Sequence, residues 1–103
     1  MYTVAVDIGG TFTDVVASDG ATGRMAMGKA LSTPADLQRG VFDGLLEAAQ
    51  ALGLELGALL DGTNRMVHAT TQSSNAVFAC SGAKTAVLAT RGFGDTLVIM
   101  RAT

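Results

Sequence analysis

The sequence predicts an α/β fold in which a mixed β-sheet carries helices packed against it. Three observations predict this fold class. Three short apolar segments separated by glycine turns open the chain, a segment of helical periodicity follows them, and two later apolar segments are each preceded by a helical one. Strands joined by short turns pair antiparallel, whereas strands reached through a helix pair parallel.

The first three strands are predicted over residues 2–6, 14–18 and 24–30. The turn between the first two contains Gly9 and Gly10, which can take φ > 0, and residues 19–23 form the next turn. We therefore predict an antiparallel meander with the Gly-Gly turn at one end of the sheet.

The helices follow from start and stop signals. Thr33 is the predicted N-cap of a helix that has Pro34 at its first position, Asp36 in its first turn, and its end near residue 52, before Gly53. A short helix over residues 54–60, a strand over 65–68, a helix over 71–79, a buried strand over 84–89 and a helix over 95–101 complete the order. The crossovers make the later strands parallel.

Composition limits the protein class. The chain has 103 residues, 49% hydrophobic and 16% charged, which predicts a single domain over residues 1–103. Its net charge is −2 and its seven Lys and Arg residues are scattered, so we expect no nucleic-acid partner. No uncharged apolar run approaches the ~20 residues of a membrane span, and no secretory pattern opens the chain, so we expect no membrane and a cytoplasmic location. Cys80 excludes an internal disulfide, and we expect its thiol to be buried.

The first candidate site is the glycine turn. An apolar strand ends at Asp7 and turns through Gly9 and Gly10 to Thr11 and Thr13. Backbone N–H groups without a nearby Cβ can approach an anion, and hydroxyl groups can donate further hydrogen bonds. The carboxylate can hold a hydrated divalent cation or orient an attacking group. The alternative interpretation is an ordinary hairpin turn with a solvated carboxylate.

The second candidate site begins where the predicted strand over residues 65–68 ends and a helix opens. His68 can exchange a proton, Thr70 and Thr71 can cap the helix and bind an anion, and Asn75 can reach back to the same cleft. The alternative is structural: a histidine bonded to a backbone carbonyl, a plain N-cap threonine and a solvated asparagine.

Three further charged residues keep two interpretations each. Asp14 either joins the phosphate site or hydrogen-bonds the turn that it follows. Arg91 either contacts a phosphate or carboxylate or is a surface residue beside a glycine turn. For Lys29, at the end of a strand, we favour a solvated lysine.

Three blocks carry a family resemblance: VDIGGTFTD at residues 6–14, HATTQSSNA at 68–76 and GAKTAVLATRGF at 82–93. Together they resemble the N-terminal region of the hydantoinase A and 5-oxoprolinase family, which includes acetone and acetophenone carboxylase subunits. The resemblance implies a ribonuclease-H-like domain, the half-unit of the actin-like ATPase fold. Ala69 stands where the family usually has glycine, and the middle of that block is more polar than usual.

The resemblance also implies ATP as a cofactor, with a divalent metal, Mg²⁺ or Mn²⁺. It implies catalytic roles for Asp7 and His68, with Asp7 also beside the metal. The implied nucleotide contacts are Gly9, Gly10, Thr11, Thr13, Thr70, Thr71 and Asn75.

The implied reaction activates a small cyclic amide by phosphorylation and hydrolyses it. The alternatives are a ketone carboxylase subunit and a non-catalytic half-domain that pairs with a larger subunit. A sugar-kinase-like enzyme also opens on such a glycine turn, but the block that begins at His68 argues against it.

The actin-like ATPase fold closes ATP between two such halves. The resemblance implies a second phosphate loop, an adenosine-binding segment and a hinge, and the sequence contains none of them. We therefore expect an incomplete domain: either a fragment of a larger enzyme or a small subunit that a larger chain completes. The chain by itself is expected to show no turnover.

Overall fold

The computed structural model describes residues 1–101 and confirms a mixed α/β fold. Its four strands are β1 (Tyr2–Ile8), β2 (Phe12–Asp19), β3 (Met25–Leu31) and β4 (Thr63–Thr70). They form one sheet in the order β3-β2-β1-β4. The meander β1 to β3 is antiparallel, and β4 pairs parallel with β1, as the turns and the helical crossover predict.

The helices are α1 (Leu37–Ala51), α2 (Leu56–Asp61), α3 (Gln72–Phe78) and α4 (Thr96–Met100). The predicted start of α1 is wrong by about one turn. Its N-cap is Asp36, because Thr33 and Asp36 close a turn around Pro34 through a 2.9 Å bond from the Asp36 N–H to the Thr33 carbonyl. The predicted stop is confirmed: Gly53 adopts φ 75°, which ends the helix.

Helix α1 packs against one face of the sheet, mainly on β3 and β2. Contact is made through glycines: a Cβ placed on Gly28 would lie 2.0 Å from the Gly44 carbonyl oxygen, and one on Gly44 would lie 2.8 Å from Val15 Cγ2. The helix backbone therefore lies directly on the sheet. The hydrophobic core, which includes residues of the helix itself, comprises Val4, Val6, Ile8, Val15, Ala17, Leu45, Ala48, Ala49 and Leu59.

Helix α1 covers one face of the sheet and leaves the other face exposed. Along β1, Val4, Val6 and Ile8 are buried on the face of α1, whereas Asp7 is exposed on the other face. That other face leaves Met27 and Val67 exposed as well. Side chains on a strand alternate between faces, so this division decides which site residues can meet.

The predicted buried strand over residues 84–89 is wrong. This segment has no regular structure, and Leu88 is 99% exposed. The chain leaves α3 through Cys80, which adopts φ 51°, and residues 81–90 pair with no strand of the sheet β3-β2-β1-β4. Cys80 is itself exposed, which corrects the expected buried thiol. The helix predicted near residue 95 is confirmed as α4.

Within residues 1–101, no helix combines the length and the apolar character needed to cross a bilayer.

Candidate phosphate site

The glycine turn is a four-residue turn closed by a 2.9 Å bond from the Gly9 N–H to the Phe12 carbonyl. Neither Gly9 nor Gly10 has a positive φ, so the predicted left-handed backbone is wrong. Gly9 instead needs glycine because the backbone approaches it closely, whereas a side chain at Gly10 would require the exposed Asn75 amide to shift by a few tenths of an ångström. A Cβ on Gly9 would lie 2.8 Å from the Phe12 carbonyl oxygen, and one on Gly10 would lie 3.1 Å from Asn75 Nδ2.

The tip of the turn presents unpaired donors. The N–H groups of Gly10 and Thr11 donate to none of the residues that the structure describes, and both residues are exposed. Two successive free amides in a turn form a concave donor surface that suits an oxyanion. These two amides are available at the tip of the turn although neither glycine has φ > 0.

Ser32 holds the backbone of the turn through two hydrogen bonds. Its backbone N–H donates to the Thr11 carbonyl at 2.8 Å, and its hydroxyl donates to the Gly9 carbonyl at 2.8 Å. Thr13 is 0% exposed, and its hydroxyl lies 2.9 Å from Ser32 Oγ. Because the Ser32 proton is directed at Gly9, the Thr13 hydroxyl donates to Ser32. Thr13 thus faces the interior rather than the tip of the turn.

Sequence reasoning did not identify Ser32 as part of this site. The signal available was its position directly after β3, beside the end of the meander that carries the glycine turn. In an antiparallel meander the end of the third strand lies next to the start of the second, so a hydroxyl there can reach the turn.

The second candidate block meets the glycine turn. The Thr71 N–H and the Thr70 hydroxyl each lie 3.3 Å from the Ile8 carbonyl oxygen. The Asn75 amide contacts the Thr71 hydroxyl at 3.4 Å and lies against Gly10. Three of the predicted site residues in this block, Thr70, Thr71 and Asn75, are therefore next to the turn and on its exposed side.

The fourth, His68, lies on the opposite face of the sheet from Asp7. The parallel register pairs His68 with Val6 and Ala69 with Asp7, so the imidazole shares the face of α1. There it lines an apolar groove of about 300 Å³ that α1 leaves open beside β4. The two residues assigned catalytic roles are thus not brought together by the sheet.

On its own face, Asp7 belongs to a charged row that crosses three strands. Asp7 is opposite Asp14 on β2, and Asp14 is opposite Lys29 on β3. The Lys29 Nζ lies 3.6 Å from Asp14 Oδ1 and 4.7 Å from the centre of the Phe12 ring. Asp7 has no ion-pair partner among residues 1–101.

The donor set in this row suits a cation that keeps most of its water. No group of three or more His, Cys, Asp or Glu side chains with metal-site geometry occurs in the described part of the chain. Mg²⁺ is commonly bound by one or two carboxylates together with water and substrate phosphates, which matches a carboxylate beside a free-amide turn. The residues present therefore fit a hydrated divalent ion that arrives with a phosphate.

Arg91 lies in an exposed turn closed by a 2.9 Å bond from the Phe93 N–H to the Thr90 carbonyl. No hydrogen bond or ion pair joins it to the glycine turn in the described chain. Of its two interpretations, the structure favours a surface arginine.

Comparison with known proteins places this geometry in a family. The model of the hydantoinase/oxoprolinase N-terminal region matches residues 3–103. Caprolactamase subunit alpha of Pseudomonas jessenii is 35% identical over 95% of this chain and 14% of its own length. The acetophenone carboxylase gamma subunit of Aromatoleum aromaticum is 30% identical over 95% of this chain and 13% of its own.

A solved structure is similar to this chain over nearly its whole length. A nucleotide-free acetone carboxylase, from a study of ATP-dependent acetone carboxylation, superposes with a TM-score of 0.88 at 28% identity over 99% of this chain. This chain spans 15% of that one, so it corresponds to a small part of each relative's length. The matches extend through all three sequence blocks, and the chain belongs to the hydantoinase/oxoprolinase family, in which it corresponds to the N-terminal region.

Proposed function

We propose that this chain contributes the first phosphate-binding turn to an ATP-dependent enzyme that hydrolyses a cyclic amide. The observation that carries the proposal is the pair of free N–H groups at Gly10 and Thr11, in the turn that directly follows β1 and its exposed Asp7. Similarity to a caprolactamase subunit, whose name specifies a cyclic amide, favours hydrolysis as the reaction.

In this proposal the terminal phosphates of ATP accept hydrogen bonds from the Gly10 and Thr11 amides and from the Thr11 hydroxyl. Asp7 would hold the water shell of a divalent ion, which would supply charge neutralisation on the transferring phosphoryl oxygens. The amide oxygen takes the γ-phosphoryl group of ATP, the bond from the γ-phosphorus to the bridging oxygen breaks, and ADP leaves. Water then adds to the activated carbonyl carbon, the ring C–N bond breaks, and inorganic phosphate is released.

The remaining residues position these groups. Thr13 acts through Ser32, because its buried hydroxyl fixes the serine that braces the turn. Asn75 limits the space beside Gly10, and its amide is itself held by the Thr71 hydroxyl. His68 serves the substrate rather than the nucleotide, because it lines the apolar groove on the opposite face.

Phosphate binding can be tested on the chain itself. We expect magnesium–ATP to shift the backbone amide resonances of Gly10 and Thr11 in a nuclear magnetic resonance titration, and Asp7→Asn to remove the magnesium dependence. Asp61→Asn is the matched control, because Asp61 is an exposed carboxylate at the end of α2. Unchanged resonances in the wild-type chain would contradict the proposal.

The reaction needs the native assembly. We would isolate the protein from its source with whatever larger polypeptide it belongs to or binds, and assay ATP hydrolysis with a lactam as substrate. Asp7→Ala should lower the rate by about a hundredfold or more if the carboxylate holds the metal that stabilises the transition state. The chain alone should show no turnover, and measurable lactam-dependent ATP hydrolysis by it would contradict that expectation.

A second candidate reaction is ketone carboxylation. It is favoured by the likeness to acetophenone carboxylase gamma and to the acetone carboxylase structure. The same assembly distinguishes the two: ATP hydrolysis that requires a ketone and bicarbonate, with no response to a lactam, would replace the hydrolase proposal.

A further inference from the structure

We propose that Lys29 is a direct contact of the bound phosphate, held in place by Asp14 and Phe12. This inference rests on the proposed function, because it adds a cation to the same anion site. It differs from the sequence interpretation, which treated Lys29 as a solvated surface residue.

The position of Lys29 in the sheet supports this role. It occupies the same cross-strand row as Asp7 and Asp14, on the face that α1 leaves uncovered. Its backbone is fixed from the other side, because the Lys29 N–H donates to Glu47 Oε2 of α1 at 2.8 Å. Strand β3 is an edge strand, so this bond anchors a residue that the sheet pairs on one side only.

The ammonium group lies over the ring of Phe12, the residue whose carbonyl closes the glycine turn. Its nitrogen lies 4.7 Å from the centre of the Phe12 ring, and the Phe12 carbonyl closes the turn with the Gly9 N–H. A cation at this distance from an aromatic face is attracted by the ring quadrupole. The side chain is 60% exposed, and its charged end has two partners, Asp14 and the Phe12 ring.

The ammonium retains donor capacity for a ligand. A lysine has three N–H donors, and none of them makes a hydrogen bond to the described residues: the ion pair with Asp14 spans 3.6 Å, and the contact with the Phe12 ring is electrostatic. These donors remain for an oxyanion at the turn. Lysine is a common phosphate ligand because its compact charge can follow several oxygens.

Charge balance also requires a cation here. Asp7 and Asp14 are directly opposite each other, and two carboxylates in that arrangement repel both each other and an incoming polyphosphate. The metal ion can offset Asp7, and Lys29 offsets Asp14. Of the other cations, Arg65 shares this face but lies opposite Thr3, toward the far end of β1.

Two roles for Lys29 must be separated: contact with the phosphate, and neutralisation of Asp14 alone. If neutralisation is its whole role, Lys29→Met should have no effect when Asp14 is already Asn. If the ammonium contacts phosphate, Lys29→Met should weaken binding about tenfold in both backgrounds, as expected for one hydrogen bond to a charged group.

The experiment titrates the ¹⁵N-labelled chain with magnesium–ATP and, separately, with inorganic pyrophosphate, following the Gly10 and Thr11 amides. The variants are Lys29→Met, Asp14→Asn and the double variant, with Arg65→Met as the control that removes an equal charge from the same face. We expect about tenfold weaker binding of both probes with Lys29→Met and little change with Arg65→Met.

Three outcomes would count against the inference in different ways. Wild-type affinity in Lys29→Met, with the turn still responding, overturns the contact while leaving the proposed function intact. Loss in Lys29→Met that disappears in the double variant reduces Lys29 to a partner of Asp14. No response in the wild-type chain refutes the phosphate site and this inference together.

Discussion

Helix α1 should be displaced from the surface of the sheet when Gly28 is replaced by alanine. A Cβ at this position would lie 2.0 Å from the Gly44 carbonyl oxygen and 2.9 Å from the Ala48 backbone nitrogen. Ordinary contact begins near 3.4 Å, so the helix must retreat by about 1.4 Å, the difference between 2.0 Å and 3.4 Å. Both clashing atoms belong to the backbone of α1, so rotation of a side chain cannot relieve the clash.

The magnitude follows from the packing that this shift disrupts. Overpacking in a core typically costs about 1–3 kcal/mol, and a rigid clash belongs at the upper end. A gap of even 0.5–1 Å removes about a quarter to a half of the dispersion attraction between facing atoms. In the opposite direction, alanine restricts the conformations of the unfolded chain, which raises the free energy of unfolding by about 0.4–1 kcal/mol. We therefore expect a net loss of about 2–3 kcal/mol in the free energy of unfolding.

Urea unfolding followed by far-ultraviolet circular dichroism measures this loss. Gly57→Ala is the matched control, because Gly57 is an exposed position of α2 with no neighbour within 4 Å of a Cβ. It should stabilise the protein by about 0.5–1 kcal/mol. If Gly28→Ala unfolds at the wild-type urea concentration, the close helix–sheet contact does not exist and this account of the fold is refuted.

Three further outcomes follow from individual contacts. Hydrogen bonds from the Ala21 N–H and the Thr22 hydroxyl hold the pKa of Asp19 below its ordinary value of 3.8. The stabilisation that the Asp19 carboxylate contributes is therefore present above pH 3.8 and should fade as the pH drops further. In Asp19→Asn, the urea midpoint of unfolding should lose this part of its dependence on acid pH. Ser32→Ala leaves the Gly9 carbonyl without its hydroxyl donor and should lower the free energy of unfolding by about 1–2 kcal/mol in the same assay, whereas Ser18→Ala, which removes no side-chain hydrogen bond, should change it little. Exposed Cys80 should react with a thiol reagent in the native protein as fast as in urea, and strong native protection would show that the C-terminal segment is packed.

The sequence predicted the parts of the fold that local signals determine. Turn residues and period-two patterns defined the meander, and Gly53 marked the end of α1. The start of α1 was misplaced because Thr33 and Pro34 also suit a turn, and the bond from Asp36 to Thr33 selects that turn. The apolar run over residues 84–89 failed as a strand because a strand requires a partner edge, which its own pattern cannot supply.

The candidate site was predicted in part for a related reason. Gly9 and Gly10 were predicted to take φ > 0 and to approach an anion, whereas the structure shows neither with φ > 0 and places the Phe12 carbonyl and the Asn75 amide close to them. The roles of Ser32 and Lys29 depend on cross-strand register, which brings together residues about twenty positions apart in the chain. Period-two patterns show that a residue belongs to a strand without showing which residue lies opposite.

Register also constrains how the two faces of the sheet can cooperate. Asp7 and His68 lie on opposite faces, so a nucleotide beside the first and a substrate beside the second are separated by the sheet itself. They can meet only beyond the carboxyl ends of β1 and β4, where parallel strands of α/β proteins usually present their ligands. At that end Thr71 and Asn75 already contact Ile8 and approach Gly10. Phosphoryl transfer in the proposed reaction must therefore take place around this end of the sheet, which makes the junction of β4 with α3 the part of the chain that faces both nucleotide and substrate.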